Sequence, residues 1–210
     1  KMNEKIKILI DSGVNILDTD KIEIRGNLRC GKNVSIETNV IIEGEVFLHD
    51  DVIIGSNTII INSTISSGTK VNHFSLIKNS IIAKNCNIGP FCRLRTGSII
   101  EDESQIGTFV EIKNSTIGSK CKVNHMAFIG DTIIGNNVTI GAGTITCNHD
   151  GMKSQKTIIE SGSYIGSNVN LVAPVHIEEN AIIGAGSTIT KQVPKNKLTL
   201  SRAKQITIEK

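Results

Sequence analysis

Aliphatic residues return every sixth position through most of the chain. Ile36, Ile42, Leu48, Ile54 and Ile60 fall in register. Ile65, Val71 and Ile77 follow after a slip, then Ile82, Ile88, Leu94, Ile100, Ile106 and Ile112. Ile117, Val123 and Ile129, then Ile134 and Ile140, carry the period on, and Ile159, Ile165, Leu171, Ile177, Ile183 and Ile189 close it. The position after the aliphatic is repeatedly Gly, as at Gly55, Gly89, Gly107, Gly130, Gly141, Gly166 and Gly184. Alternation would give ordinary strands, and a period of 3.6 would give a helix. A period of six describes a short flat face followed by a corner, and glycine suits a corner that demands positive φ. Three such faces close a triangular coil of roughly 18 residues, and coils stack by parallel pairing at roughly 4.8 Å. The aliphatics fill a narrow interior, so the expected fold is all-β, a parallel β-helix of about eight coils.

The slips are informative. Five-residue units start at Ile60, Ile77, Ile112 and Ile129. They lie a whole number of coils apart, so the shortened faces are expected to stack on one side of the prism. Two stretches lack the period. Residues 3–12 read as a short helix with Gly13 as its stop. Residues 146–157 read as a polar loop, the kind of projection from a rigid scaffold where chemistry tends to sit. This divides the chain into a helical arm and linker (1–25), the β-helix (26–194) with its loop, and an irregular C-terminal tail (195–210).

Composition narrows the possibilities. Aromatics make up only 3% of the 210 residues, against 39% hydrophobic, which fits a thin core of repeated aliphatic layers. A net charge of +3 spread along the chain gives no nucleic-acid surface. No apolar run approaches the roughly 20 residues that span a bilayer. Five cysteines without a CxxC pair fit a reduced, cytoplasmic protein.

The motifs then point to one family. Ile88-Gly89-Pro90-Phe91-Cys92-Arg93-Leu94-Arg95, Gly107-Thr108-Phe109-Val110-Glu111-Ile112-Lys113 and Ile140-Gly141-Ala142-Gly143-Thr144-Ile145-Thr146-Cys147-Asn148, with Leu171-Val172-Ala173-Pro174-Val175 and Ser201-Arg202, occur in order. Together they resemble the C-terminal acetyltransferase domain of the bacterial bifunctional enzyme that makes UDP-N-acetylglucosamine. The resemblance implies a left-handed β-helix of hexapeptide repeats. It also implies transfer of an acetyl group from acetyl-CoA to the amine of glucosamine-1-phosphate. The family's uridylyltransferase half, for which magnesium is expected, would lie outside this chain; no metal is expected here. Family members are trimers with sites shared between subunits.

Acetyl transfer to an amine needs a base, and histidine is suited to it near neutral pH. Of His49, His73, His125, His149 and His176, any one taken alone is more often a surface or packing residue. His125, in Val123-Asn124-His125-Met126-Ala127-Phe128, matches the family's catalytic base. His73 lies in a near copy, Val71-Asn72-His73-Phe74, and is expected at the same corner without a site. By resemblance Arg95 and Lys113 bind the sugar phosphate, although either alone reads as a solvated charge. Phe128, Thr139, Asn148, His149 and Lys153 take the family's remaining sugar-side positions. Asn148 would orient the amine or the thioester carbonyl; its bland reading is a turn residue. Ala142, Ser167, Ala185 and Arg202 take the acetyl-CoA positions, the first three equally explicable by tight packing.

Departures from the family pattern cluster on the sugar side. Phe128 and His149 stand where Tyr is usual, Thr139 where Asn is, and Thr96 where Pro is. Lys153 is one place from the expected loop lysine, and His149 offers an imidazole as an alternative donor. Rival readings are a different amino-sugar or amino-acid acceptor, a non-catalytic β-helix, and a zinc hydrolase on the same fold. The last would need two histidines about five residues apart, and none are that close.

Overall fold

The computed structural model describes residues 4–209. It is a parallel β-helix preceded by one short helix, Glu4–Asp11. The helix buries Ile6 and Leu9 against the first coil, and Gly13 at φ 95° turns the chain out of it. Asn3, where the sequence starts this helix, lies outside the described residues.

Three columns of interior aliphatics run the length of the prism. The first stacks Ile36, Ile54, Val71, Ile88, Ile106, Val123, Ile140, Ile165 and Ile183 in parallel register. The second stacks Ile42, Ile60, Ile77, Leu94, Ile112 and Ile129. The third stacks Leu48, Ile65, Ile82, Ile100, Ile117, Ile134, Ile159 and Ile177. Nearly all are wholly buried. Burying such a side chain is worth roughly 1.5–3 kcal/mol, so the repeated stack is the main source of stability.

The first column's sheet has 11 strands, which makes about ten coils rather than eight. The extra coils lie at the ends. Asn15–Ile16 pairs with Ser35–Ile36, inside the stretch expected as arm and linker. Leu198–Thr199 pairs with Ile182–Ile183, inside the expected tail. Both end coils keep the backbone pairing without the six-residue aliphatic period, so the period alone misses them. Beyond Thr199 the chain is irregular and exposed.

The four shortened faces stack in one column, as their spacing requires. Each turns at Asn62, Asn79, Asn114 or Asp131, all at φ 45–50°. A buried hydroxyl then closes each turn on the carbonyl two residues back: Ser63, Ser80, Ser115 and Thr132, at 2.7–2.8 Å.

Of the glycines following the aliphatics, Gly89 holds the expected positive φ, at 82°, but most serve a different purpose. Positive φ falls two residues later, at Asn39, Asn57, Asn85, Asn137 and Asn168, where an Asn tolerates the left-handed region. The glycines clear space between coils instead. A Cβ on Gly107 would lie 2.0 Å from the Asn124 carbonyl oxygen, and one on Gly141 would lie 2.5 Å from the Gly166 backbone. Phe74, Phe91 and Phe109 also hold positive φ, which bulky residues adopt at a cost of about 1–3 kcal/mol. They stack on one another along one edge, with centroids 4.9 and 5.7 Å apart, offsetting part of that cost.

Candidate active site

The coil register gathers the candidate residues into two groups. The first is a line along one corner. Val123, Ile140, Ile165 and Ile183 stack, so the residues two places on, His125, Ala142, Ser167 and Ala185, stack as well. Backbone bonds fix the spacing: Gly143 N–H donates to the Met126 carbonyl at 3.0 Å, Asn168 to Ala142 at 2.7 Å, and Gly186 to Ser167 at 2.8 Å. Arg202 caps the line by donating to the Ala185 carbonyl at 2.8 Å. At one coil spacing per step, it runs roughly 15 Å. His125 is exposed at one end, and its imidazole has no hydrogen bond or ion pair among the described residues.

The second group lies at the opposite edge of the face that follows His125. Ile77, Leu94 and Ile112 stack, so Lys78, Arg95 and Lys113 follow one another on successive coils. They border a cavity of about 210 Å³ with Leu76, Arg93 and Thr96. Glu111 is the carboxylate here; it accepts from Arg95 Nη1 at 2.8 Å and lies 3.7 Å from Arg93 Nη1. Four cations against one carboxylate leave a site suited to an anion. Lys78 and Arg93 were not singled out in the sequence, although Lys78 precedes Arg95 by one shortened coil and was legible on that ground.

One coil further along, Lys113 stands opposite Gly130. The space above Gly130 is taken: a Cβ there would lie 2.8 Å from Asn148 Nδ2 and 2.9 Å from the Phe128 ring. The missing Cβ therefore leaves room for Asn148 and Phe128 over Gly130. Asn148 Nδ2 donates to Asp131 Oδ2 at 2.5 Å. Asp131, also missed in the sequence, accepts from Asn114 Nδ2 at 2.6 Å. Burial pushes the Asp131 carboxyl upward, but hydrogen bonds from Asn114, Asn148 and Ser154 and the charge of Lys113 hold it below its ordinary value.

The remaining candidates lie apart. Thr139 belongs to the adjoining face, paired between Lys122 and Tyr164, away from the cation edge. His149 and Lys153 are exposed in the loop. His149 Nδ1 accepts from Gly151 N–H at 3.0 Å, and the Lys153 backbone N–H donates to Asp150 Oδ1 at 2.9 Å. The loop itself is shorter than 146–157, because Ile145–Cys147 and Thr157–Ile159 are strands. Thr146 occupies a wholly buried interior slot, and its hydroxyl accepts from Gly130 N–H at 2.7 Å. No group of three or more His, Cys, Asp or Glu fit to hold a metal ion occurs among the described residues. Among them, too, no helix is long and apolar enough to cross a membrane.

Stacked aliphatic columns, shortened corners and a single protruding loop define a hexapeptide-repeat β-helix protein. Residues 156–191 match the bacterial transferase hexapeptide model (six repeats), and residues 24–106 match the model of the GMPPB C-terminal domain. More particularly, the chain is a homologue of the proteins named Bifunctional protein GlmU. It is 45% identical to that of Janthinobacterium sp. (strain Marseille) and 47% identical to that of Nitrosospira multiformis, over 96% of its length in each case. It spans 44% of the length of those relatives. Among solved structures it is similar to a UDP-N-acetylglucosamine acyltransferase, at TM-score 0.46 and 21% identity, covering 81% of this chain and 71% of that one. An Arabidopsis UDP-N-acetylglucosamine acyltransferase gives TM-score 0.44 and 17% identity, covering 89% and 69%.

Proposed function

We propose that this chain transfers the acetyl group of acetyl-CoA to the amine of glucosamine-1-phosphate, giving N-acetylglucosamine-1-phosphate for UDP-N-acetylglucosamine synthesis. The observation that carries the reading is the line His125–Ala142–Ser167–Ala185, in a homologue of bifunctional GlmU proteins. A corner of small side chains ending at an unpaired imidazole suits a long, thin thioester arm delivered to a base.

In this reading Arg95 and Lys113 hold the sugar phosphate, with Arg95 already turned to form a charge-assisted contact. His125 takes a proton from the amine as its nitrogen attacks the thioester carbonyl. The tetrahedral intermediate collapses, the C–S bond breaks, and the departing CoA thiolate takes the proton from His125 to leave as the thiol. Arg202 at the end of the line meets the phosphates of CoA. Phe128 gives the sugar an apolar wall where a phenol is usual, a difference that bears on sugar affinity more than on the acetyl donor.

The arrangement also favours a homotrimer with shared sites. His125 and the cation edge stand at opposite ends of one face, and no contact joins them within the chain. A second copy laid along that face would bring its own cations or base to complete the site. Mixing His125→Ala and Arg95→Ala chains after unfolding and refolding together, assayed at glucosamine-1-phosphate too dilute for Arg95→Ala to turn over appreciably, is expected to restore part of the activity; no restoration would leave each site within one chain.

The acceptor is tested by thiol release from acetyl-CoA with glucosamine-1-phosphate, glucosamine and serine in parallel. Glucosamine-1-phosphate is expected to win by at least tenfold in kcat/KM, since the cations recognise its phosphate. Preference for another acceptor would overturn the substrate, and no CoA binding would favour a non-catalytic β-helix.

A further inference from the structure

One residue holds both ends of the loop that interrupts the coils. Asp131 sits at the last shortened corner, at φ 50°, one coil below the loop. Its backbone N–H donates to the Lys113 carbonyl at 3.0 Å, fixing it to the cation edge. Its carboxylate receives the Asn148 amide where the loop begins, and its carbonyl receives Thr157 N–H at 3.2 Å where the coil resumes. Asn114 holds the carboxylate from the coil beneath.

This geometry decides how the Asn148 amide is turned. An ionised carboxylate only accepts hydrogen bonds, so Asn148 must present its Nδ2 to Asp131. The Asn148 Oδ1 is then left without a donor among the described residues, while its Nδ2 lies over Gly130, the residue paired with Lys113. A lone acceptor next to a phosphate-binding edge suits an amine, which must be held by its N–H as it attacks. It suits the oxygen of a thioester poorly.

We propose that Asp131 is a positioning residue for acetyl transfer, locking the Asn148 amide so that its oxygen receives the acceptor amine and pinning the loop 148–156 at both ends. The proposal rests on the acetyltransferase reading above and chooses between the two roles open to Asn148. Asp131 itself touches no substrate.

The test is a double-mutant cycle in the full chain, reading kcat, both KM values and the melting temperature. Asp131→Asn puts a second amide where the carboxylate stood and allows Asn148 to flip. It is expected to lower kcat about 10–100-fold with KM for acetyl-CoA unchanged. Asn148→Ala is expected to lose a similar factor. The double variant should be no worse than Asn148→Ala within about twofold, because the two residues act as one unit. Asn114→Ala removes another bond to the same carboxylate without touching Asn148, and should stay within a few-fold of wild type. If Asp131→Asn does not fold, Asp131→Glu takes its place in the cycle, since Glu103 already occupies such a corner at φ 60°. Losses that multiply in the double variant, or a wild-type rate in Asp131→Asn, would overturn the proposal. A wild type that fails to acetylate glucosamine-1-phosphate would instead sink the reading beneath it.

Discussion

His73 and His125 occupy the same corner of the prism in nearly identical segments, yet their surroundings differ. His73 Nδ1 lies 3.0 Å from Ser56 Oγ and 3.3 Å from Glu37 Oε2, and also accepts from Ser56 N–H at 3.1 Å. Its ring is tied down by the coils beneath it. The next coils above place Pro90 and Thr108 on its line. His125 has an unpaired ring, and the coils above it place Ala142, Ser167 and Ala185 on its line. One repeat of sequence therefore gives two histidines in different surroundings. The neighbouring coils set the difference, tying one ring down and leaving the other free on a corner of small residues.

The comparison can be broken most sharply at His125 itself. Removing a general base typically costs about 10²–10⁴ in rate. His125→Ala is expected to lose that much kcat at unchanged melting temperature, measured by thiol release and calorimetry. The next largest effect lies at the cation edge. Charge-assisted hydrogen bonds are worth about 1.5–3 kcal/mol, or roughly 10–100-fold. Arg95→Ala or Lys113→Ala should raise KM for glucosamine-1-phosphate by that factor and leave KM for acetyl-CoA nearly alone. The corner line makes the opposite split: Ala142→Leu should raise KM for acetyl-CoA about tenfold with little change for the sugar. Equal changes in both constants would mean that line and edge do not serve separate substrates. The smallest effect is expected at the control corner. His73→Ala removes exposed contacts with Glu37 and Ser56, and exposed pairs contribute about 0–1 kcal/mol. Activity within a few-fold of wild type is expected.

Much of this was legible in the chain because each interior slot takes one kind of residue. Ile60, Ile77, Ile112 and Ile129 gave both the period and the stacking of the shortened faces. Where backbone pairing persists without an aliphatic in register, as at Asn15–Ile16 and Leu198–Thr199, the pattern is silent. Thr146 was hidden for a related reason. It fills an aliphatic slot with a hydroxyl, which accepts from the Gly130 N–H. Most of the glycines were visible but misread, since a sequence does not say whether a missing Cβ serves φ, as at Gly89, or clearance. The candidate site was legible residue by residue from family motifs, but its arrangement was not. That Lys78 and Arg93 join Arg95 and Lys113, that Thr139 falls on another face, and that Asp131 holds Asn148 all depend on coil register and side-chain direction.

The central claim is that coil context makes His125 the base and leaves His73 outside the chemistry. Its most direct test is the kcat of His73→Ala and His125→Ala, measured side by side with acetyl-CoA and glucosamine-1-phosphate. The account predicts that the first exceeds the second by at least about a hundredfold. Comparable rates in the two variants, or a deeper loss in His73→Ala, would contradict it.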